Sequence, residues 1–164
     1  PLCASYAEWD NYPAHVVADL RACAEAAARR GLTLALENEP ACYGGSGQSL
    51  ARLVAAINHP ALRANWDPGN HTAATGEDFR AGYEALKPYQ VHCHVKDYRA
   101  GGGGGAMPPG QGEVDWHGQL RALKADGYQG LLVLETHFVP KIAGSRRCYE
   151  GLKALLAEID EEAE

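Results

Sequence analysis

The chain has 164 residues, of which 46% are hydrophobic and 22% are charged, and its net charge is −6 at pH 7. This length suffices for one domain with a hydrophobic core, and the composition is that of an ordinary globular protein. The acidic balance disfavours a nucleic-acid-binding surface, and no apolar run reaches transmembrane length, so we expect neither a nucleic-acid nor a membrane partner. The five cysteines lack zinc-type or CxxC spacing, which predicts reduced thiols and a cytoplasmic location.

Short apolar strands alternate with helices along the chain. Apolar periodicity first predicts an amphipathic helix over 14–30 that stops at Gly31. The elements predicted after it are strand 32–37, helix 49–58, strand 62–67, helix 77–86, strand 90–96, helix 115–126, strand 130–136 and helix 145–161, with Ser145 as its N-cap. Residues 98–114 are predicted to be a long loop, and its five glycines at 101–105 favour a flexible lid over a phosphate cradle.

Each of the four predicted strands carries a residue that can bind a divalent metal at or near its carboxyl end. The strands that alternate with helices pair in parallel, so these ends meet at one edge of the sheet, where α/β folds place their active sites. The four residues are Glu37, Asp67, His94 and Glu135. Four such residues at equivalent positions are unexpected by chance, which favours a shared site.

The two-residue period of a strand divides the side chains between two faces. Leu32, Leu34 and Leu36 are expected to pack against helices, whereas His92, His94 and Lys96 share the face that would line a barrel. Each candidate also has a simpler interpretation. The glutamates could be solvated rim residues, His94 a hydrogen-bonded core histidine, Asp67 a turn residue, and Lys96 with Asp97 a surface ion pair. Trp66 and Trp116 are interpreted as packing residues.

Five stretches resemble the xylose isomerase-like TIM barrels, a superfamily that includes sugar-phosphate isomerases and epimerases, ketose 3-epimerases, inosose dehydratases and apurinic endonucleases. Their order and spacing match over nearly the whole chain. The stretches are Leu36-Glu37-Asn38, Asn65-Trp66-Asp67-Pro68-Gly69-Asn70, His92-Cys93-His94-Val95-Lys96-Asp97, Gly110-Gln111-Gly112-Glu113-Val114-Asp115-Trp116 and Leu134-Glu135-Thr136.

This resemblance implies an α/β fold of the (β/α)8 type, in which the four strands correspond to the fifth to eighth strands of a barrel. Residues 1–164 are then expected to form a single partial domain, a half-barrel without the N-terminal half. A complete barrel is typically about 250 residues long. By the same resemblance Glu37, Asp67, His94 and Glu135 would form the complete set of metal ligands, with His94 rather than His92 as the imidazole. Two open sheet edges predict self-association of the half-barrel.

The implied cofactor is one divalent metal ion, and this ligand set suits Mn²⁺, Mg²⁺, Zn²⁺ or Co²⁺. In the epimerases the resemblance assigns Glu37 and Glu135 also to acid/base catalysis through an enediolate. Lys96 would steady the developing negative oxygen. Asn70 stands where many family members have a substrate-contacting histidine, which makes it a substrate-binding candidate. The chain lacks the additional metal-binding histidines of the apurinic endonucleases, which disfavours DNA repair.

Three functions follow as hypotheses. The first is a divalent-metal-dependent isomerase or epimerase of a sugar, sugar phosphate or sugar acid, which transfers a proton next to a metal-bound carbonyl. The second is a dehydratase of the inosose or dehydroshikimate type on the same scaffold. The third is an inactive truncated or designed half-barrel without turnover.

Overall fold

The computed structural model describes residues 8–99, 105–137 and 139–161. Its helices are α1 (Ala14–Ala28), α2 (Gly47–Ile57), α3 (Pro68–Thr75), α4 (Phe79–Leu86), α5 (Trp116–Ala125) and α6 (Lys141–Glu161), and a short 3-10 turn at Lys87–Tyr89 follows α4. Its strands are β1 (Leu34–Glu37), β2 (Leu62–Trp66), β3 (Gln90–Val95), β4 (Asp97–Arg99), β5 (Gly105–Met107) and β6 (Leu131–Leu134).

Four strands form one parallel sheet in the order β1-β2-β3-β6, and at least one helix connects each strand to the next. The register places Glu37 level with Asn65, Asn65 level with His92, and His94 level with Val133. The carboxyl ends of all four strands therefore lie at one edge. The parallel α/β architecture expected from the alternation of elements is confirmed.

The helices cover one face of this sheet. Leu62, Ala64 and Trp66 alternate along β2 and are buried in the main core, together with residues from α2, α4, α5 and α6. The indole N–H of Trp66 donates to Gln119 Oε1 at 2.7 Å, which ties β2 to α5. Trp66 and Trp116 are both buried, so their interpretation as packing residues is confirmed. The other face of the sheet is more open, and Leu131 on it is 68% exposed.

Several predicted helix boundaries were wrong, and side-chain N-caps explain where α3 and α4 begin. Asp67 accepts a hydrogen bond from the Asn70 backbone and begins α3, a helix that the sequence analysis did not predict. Asp78 similarly begins α4, so the single helix predicted over 77–86 starts at Phe79. The last helix begins at Lys141, which places Ser145 inside the helix rather than at its N-cap. Helix α1 ends at Ala28, and Gly31 follows with a φ of 66°.

The region predicted as one long loop contains a hairpin. Strands β4 and β5 pair antiparallel, with Asp97 opposite Met107 and Arg99 opposite Gly105. Most of the glycine run, residues 101–104, lies outside the described residues, and so does the predicted lid. The first strand also begins later than expected, at Leu34. Leu32 is 59% exposed, so its predicted packing against helices was wrong.

Within the described ranges, none of the helices combines the length and the apolar character required to span a lipid bilayer. Among the described cysteines, Cys23, Cys42, Cys93 and Cys148 form no disulfide, and reduced thiols stay a prediction. A cytoplasmic location stays a prediction.

Candidate metal centre

Four side chains with metal-binding atoms converge at the carboxyl edge of the parallel sheet. Glu37 ends β1, Asp67 follows β2, His94 lies in β3 and Glu135 follows β6. One ligand-type atom from each lies within 4.8 Å of those from the other three. The cluster forms because successive parallel strands end side by side and all four side chains point to the same face of the sheet.

Asp67 is the most deeply buried member of the cluster. Its Oδ1 accepts the backbone N–H of Asn70 at 2.8 Å, and its Oδ2 accepts no well-directed hydrogen bond although Lys96 Nζ lies 3.0 Å away. Burial raises the pKa of Asp67 to about 7, even though the Lys96 ammonium favours the ionised carboxylate. A buried carboxylate oxygen with an incomplete set of partners is suited to receive a cation.

The amide of Asn38 holds the backbone of Asp67 in place. Asn38 Nδ2 donates to the Asp67 carbonyl at 2.8 Å, and the Asp67 N–H donates to Asn38 Oδ1 at 2.8 Å. Asn38 itself is fully buried. These two bonds connect the residue that follows β1 to the residue that follows β2, so they determine how far apart Glu37 and Asp67 lie.

Glu37 and His94 form the second part of the cluster. His94 Nδ1 lies 3.1 Å from Glu37 Oε1, and this hydrogen bond raises the pKa of His94. Asn70 Nδ2 donates to the same Glu37 oxygen at 3.2 Å. The predicted substrate contact Asn70 is therefore at the margin of the cluster. His92 packs against His94 with ring centroids 5.4 Å apart but does not belong to the four-residue group.

Glu135 and Lys96 complete the site. Lys96 Nζ lies 2.6 Å from Glu135 Oε2, and His137 Nε2 lies 3.2 Å from Glu135 Oε1. Burial opposes ionisation of Glu135, but the Lys96 ammonium and His137 lower its pKa to about 2. Lys96 therefore pairs with two members of the cluster and not with Asp97, so its interpretation as half of a surface ion pair was wrong.

Asp97 has a structural role that the sequence analysis did not assign. Its buried carboxylate accepts four backbone N–H groups, from Tyr98 at 2.8 Å, Gly110 and Gly112 at 2.9 Å, and Val114 at 3.1 Å. A Cβ on Gly112 would collide with the Asp97 carboxylate and with the Tyr98 carbonyl oxygen. The glycine-containing stretch before α5 thus folds around Asp97, directly after Lys96.

The start of α5 adds a second contact to the same region. The indole N–H of Trp116 donates to the Lys96 carbonyl oxygen at 3.2 Å. Part of the family resemblance in the sequence came from the Gly110–Trp116 stretch. That resemblance was the signal in the sequence that this stretch matters for the site. Its function is to hold the chain at Lys96 and Asp97.

A cavity of about 300 Å³ opens beside the cluster. Lys96 and Asn70 lie on one side of it, and His137 and the β4–β5 hairpin line the rest, with Ala73 from α3. A small organic molecule placed there would contact Lys96, which itself pairs with Asp67 and Glu135 of the cluster. The cavity thus provides space for a ligand next to the candidate metal centre.

The donor set fits a divalent cation. Three carboxylates and one imidazole are ligands that Mn²⁺, Mg²⁺, Zn²⁺ and Co²⁺ accept, and the incompletely partnered Oδ2 of Asp67 faces Lys96 within the cluster. Together the parallel α/β fold and a carboxylate–histidine cluster at the carboxyl ends of its strands define a TIM-barrel-like protein with a candidate metal centre.

Comparison with protein families leads to the same class. Residues 3–157 match the family described as xylose isomerase-like TIM barrel, and the chain belongs to this family. No curated protein matches the sequence.

Solved structures share the fold at low sequence identity. A probable 3-DHS dehydratase from Bacillus anthracis has a TM-score of 0.73 and 19% identity, over 84% of this chain and 55% of that chain. A xylose isomerase-like TIM barrel protein from Mycobacterium smegmatis, in complex with magnesium, has a TM-score of 0.72 and 20% identity, over 93% and 51% of the two chains. The 3-keto-D-glucoside 4-epimerase from E. coli has a TM-score of 0.68 and 21% identity, over 87% and 52%. The chain thus spans about half the length of these structures.

Proposed function

We propose that the protein is a divalent-metal-dependent isomerase or epimerase that acts on a sugar, a sugar phosphate or a sugar acid. The observation that carries this proposal is the convergence of Glu37, Asp67, His94 and Glu135 within 4.8 Å at the carboxyl edge of the sheet. The chain belongs to the xylose isomerase-like TIM barrel family, and sugar epimerases are among the solved structures that share its fold. Both observations support the proposal.

The outer strands of the sheet contribute the two proposed acid/base residues. Glu37 ends β1 and Glu135 follows β6, so the two carboxylates flank Asp67 and His94. A divalent ion at this centre would polarise a substrate carbonyl and acidify the adjacent C–H bond. One carboxylate would then take the proton from that carbon, and the other would return a proton to the opposite face. Burial opposes ionisation, but Lys96 and His137 lower the pKa of Glu135 to about 2, so its carboxylate is ionised at neutral pH but only weakly basic while Lys96 pairs with it.

Lys96 and Asn70 are proposed to orient the substrate. Both line the cavity beside the cluster, and each offers hydrogen-bond donors to a sugar oxygen. The ammonium of Lys96 would stabilise the negative charge that develops on the substrate oxygen as the proton leaves.

Metal content is the first test of this proposal. We expect one divalent ion per chain in the purified protein and its loss in His94→Ala, measured by elemental analysis. His117→Ala is a matched control, because His117 pairs with Glu158 on helical surfaces away from the cluster. Equal metal content in the wild-type and His94→Ala proteins would exclude His94 as a ligand.

Proton exchange is the test of the chemistry. In D₂O the metal-loaded protein, once a partner completes the pocket wall, should introduce deuterium at the carbon next to the carbonyl of its ketose substrate. Little or no exchange is expected from the chain without that partner. Glu135→Gln should slow this exchange about a hundredfold or more, because an amide cannot act as the base. Glu150→Gln, a change at the surface of α6, should not slow it. Exchange that is unaltered by Glu135→Gln would exclude Glu135 as the acid/base residue.

Dehydration is the alternative activity. A probable 3-DHS dehydratase shares the fold, and loss of water also begins with removal of a proton next to a carbonyl. Accumulation of a dehydrated product without exchange into recovered substrate would favour this lyase. A chain that binds metal but turns over no ketose, sugar acid or cyclic polyol would instead favour the inactive alternative.

We also propose that the chain associates with a second copy of itself. The open face of the sheet exposes Leu131 by 68% and Val133 by 36%, and β1 and β6 are its outer strands. Pairing of two sheets would cover this apolar surface and place a second wall opposite the candidate metal centre. Light scattering should report a dimer at micromolar concentration, and a stable monomer would contradict the proposal.

A further inference from the structure

The ammonium group of Lys96 lies inside the carboxylate cluster. Its Nζ is 3.0 Å from Asp67 Oδ2 and 2.6 Å from Glu135 Oε2, and the side chain is only 16% exposed. Lys96 is on the same face of the chain as His94, two residues further along. One cation of the protein thus already contacts two of the four ligand residues of the candidate centre.

Asp67 and Glu135 each have one carboxylate oxygen with another partner, and Lys96 contacts the second oxygen of each. Asp67 Oδ1 is used by the Asn70 backbone N–H at 2.8 Å, and Glu135 Oε1 faces His137 Nε2 at 3.2 Å. A divalent ion requires carboxylate oxygens at about 2.0 to 2.6 Å. Asp67 Oδ2 and Glu135 Oε2 have no other hydrogen-bond partner among the described residues, so they are the oxygens most open to an ion, and the ammonium now lies against both.

We propose that Lys96 and the divalent cation compete for Asp67 Oδ2 and Glu135 Oε2, so that Lys96 sets the affinity of the centre and is released into the adjacent cavity when the ion binds. This inference rests on the proposed metal centre. The cavity of about 300 Å³ is lined by Lys96 itself, which gives the released side chain a place to go. Binding of the ion would thereby deliver the ammonium to the space in which the substrate is expected.

Lys96 also compensates the negative charge of the cluster before any ion binds. Asp67 is fully buried, and a buried carboxylate without a cation is unfavourable. Lys96 supplies a cation before the metal arrives, so it stabilises the folded chain in that state. The same attraction opposes metal binding, because the ion must displace one charge–charge contact to make another.

Calorimetric titration of the metal-depleted full chain with Mn²⁺ tests this competition. Lys96→Met removes the ammonium and keeps a side chain of similar length. We expect it to bind Mn²⁺ tighter than wild type by about tenfold or more, because a positive charge next to the ion is lost. Lys96→Arg should restore affinity to the wild-type level or below, because the positive charge remains. Lys124→Met is the matched control, since Lys124 pairs with Asp160 at 2.8 Å on the surface.

Thermal unfolding provides a second readout. Without metal, Lys96→Met should melt at a lower temperature than wild type, and saturating Mn²⁺ should raise its melting temperature more than that of wild type. If wild type binds Mn²⁺ and Lys96→Met binds it equally or more weakly, the competition is refuted, whereas the proposed metal centre is not. If none of the three proteins (wild type, Lys96→Met and Lys96→Arg) binds Mn²⁺, the proposed metal centre is refuted, and the competition is refuted with it. If Lys96→Met does not fold, tighter binding by Lys96→Gln than by wild type would support the competition, and equal or weaker binding would refute it.

Discussion

Replacement of Asp97 by asparagine should destabilise the protein strongly, although the two side chains have nearly the same shape. The carboxylate accepts two backbone N–H groups on each oxygen, Tyr98 and Val114 on Oδ1 and Gly110 and Gly112 on Oδ2. An asparagine can accept on one oxygen only, and its NH₂ group would face two N–H donors.

The magnitude follows from the number of bonds lost. Hydrogen bonds to a charged acceptor contribute about 1.5 to 3 kcal/mol each, so the loss of two predicts a decrease of about 3 kcal/mol or more in the free energy of unfolding. A domain of this size is typically stable by about 5 to 15 kcal/mol, so the variant should still fold.

Urea denaturation gives the loss of stability, and hydrogen exchange of the Gly110, Gly112 and Val114 amides gives its location. These three amides should exchange faster in Asp97→Asn, whereas the amides of β2 should show only the effect of lower global stability. Asp160→Asn is the control, because the Asp160 side chain is 78% exposed on α6. A loss below about 1 kcal/mol with unchanged exchange at the three amides would refute the role of Asp97.

Three further outcomes follow from buried contacts. His71 is buried and burial lowers its pKa, so its contribution to stability is complete above about pH 6.5 and falls as the pH drops below it, whereas the raised pKa of Asp67 acts in the opposite direction. The difference between wild type and His71→Gln in urea titrations between about pH 8 and 5 isolates the His71 contribution and should shrink as the pH falls. Asn38→Ala leaves the buried N–H of Asp67 without a partner and removes one of the two hydrogen bonds to its carbonyl, which keeps the His71 N–H. The variant should lose about 1 to 3 kcal/mol of stability in denaturation and bind Mn²⁺ more weakly in calorimetry. Gly47→Ala would place a Cβ 2.5 Å from the Gly82 carbonyl oxygen where α2 meets α4. We therefore expect the free energy of unfolding to fall by about 1 to 3 kcal/mol, and unchanged thermal stability would contradict this close packing.

Local pattern was sufficient to predict the four strands of the parallel sheet and the residues at their carboxyl ends. Strand periodicity and the parallel rule act through neighbouring residues, so Glu37, Asp67, His94 and Glu135 could be placed at one edge before any contact was known. Their roles as ligands and acid/base residues stay predictions. Helix α3 was missed because Asp67-Pro68 was interpreted as a turn, although aspartate followed by proline is also a helix-start signal.

The sequence by itself determined the alternation of helices and strands, the faces of the strands and the shared edge, because each depends on residues close together in the chain. Only the tertiary structure decided which atoms meet at that edge. Asn38 contacts Asp67 across 29 residues, and Lys96 contacts Glu135 across 39. Asp97 and Lys96 are neighbours in sequence, yet Asp97 accepts backbone N–H groups whereas Lys96 enters the carboxylate cluster. Such partners depend on the distances between segments after packing, and hydrophobic periodicity carries no information about them.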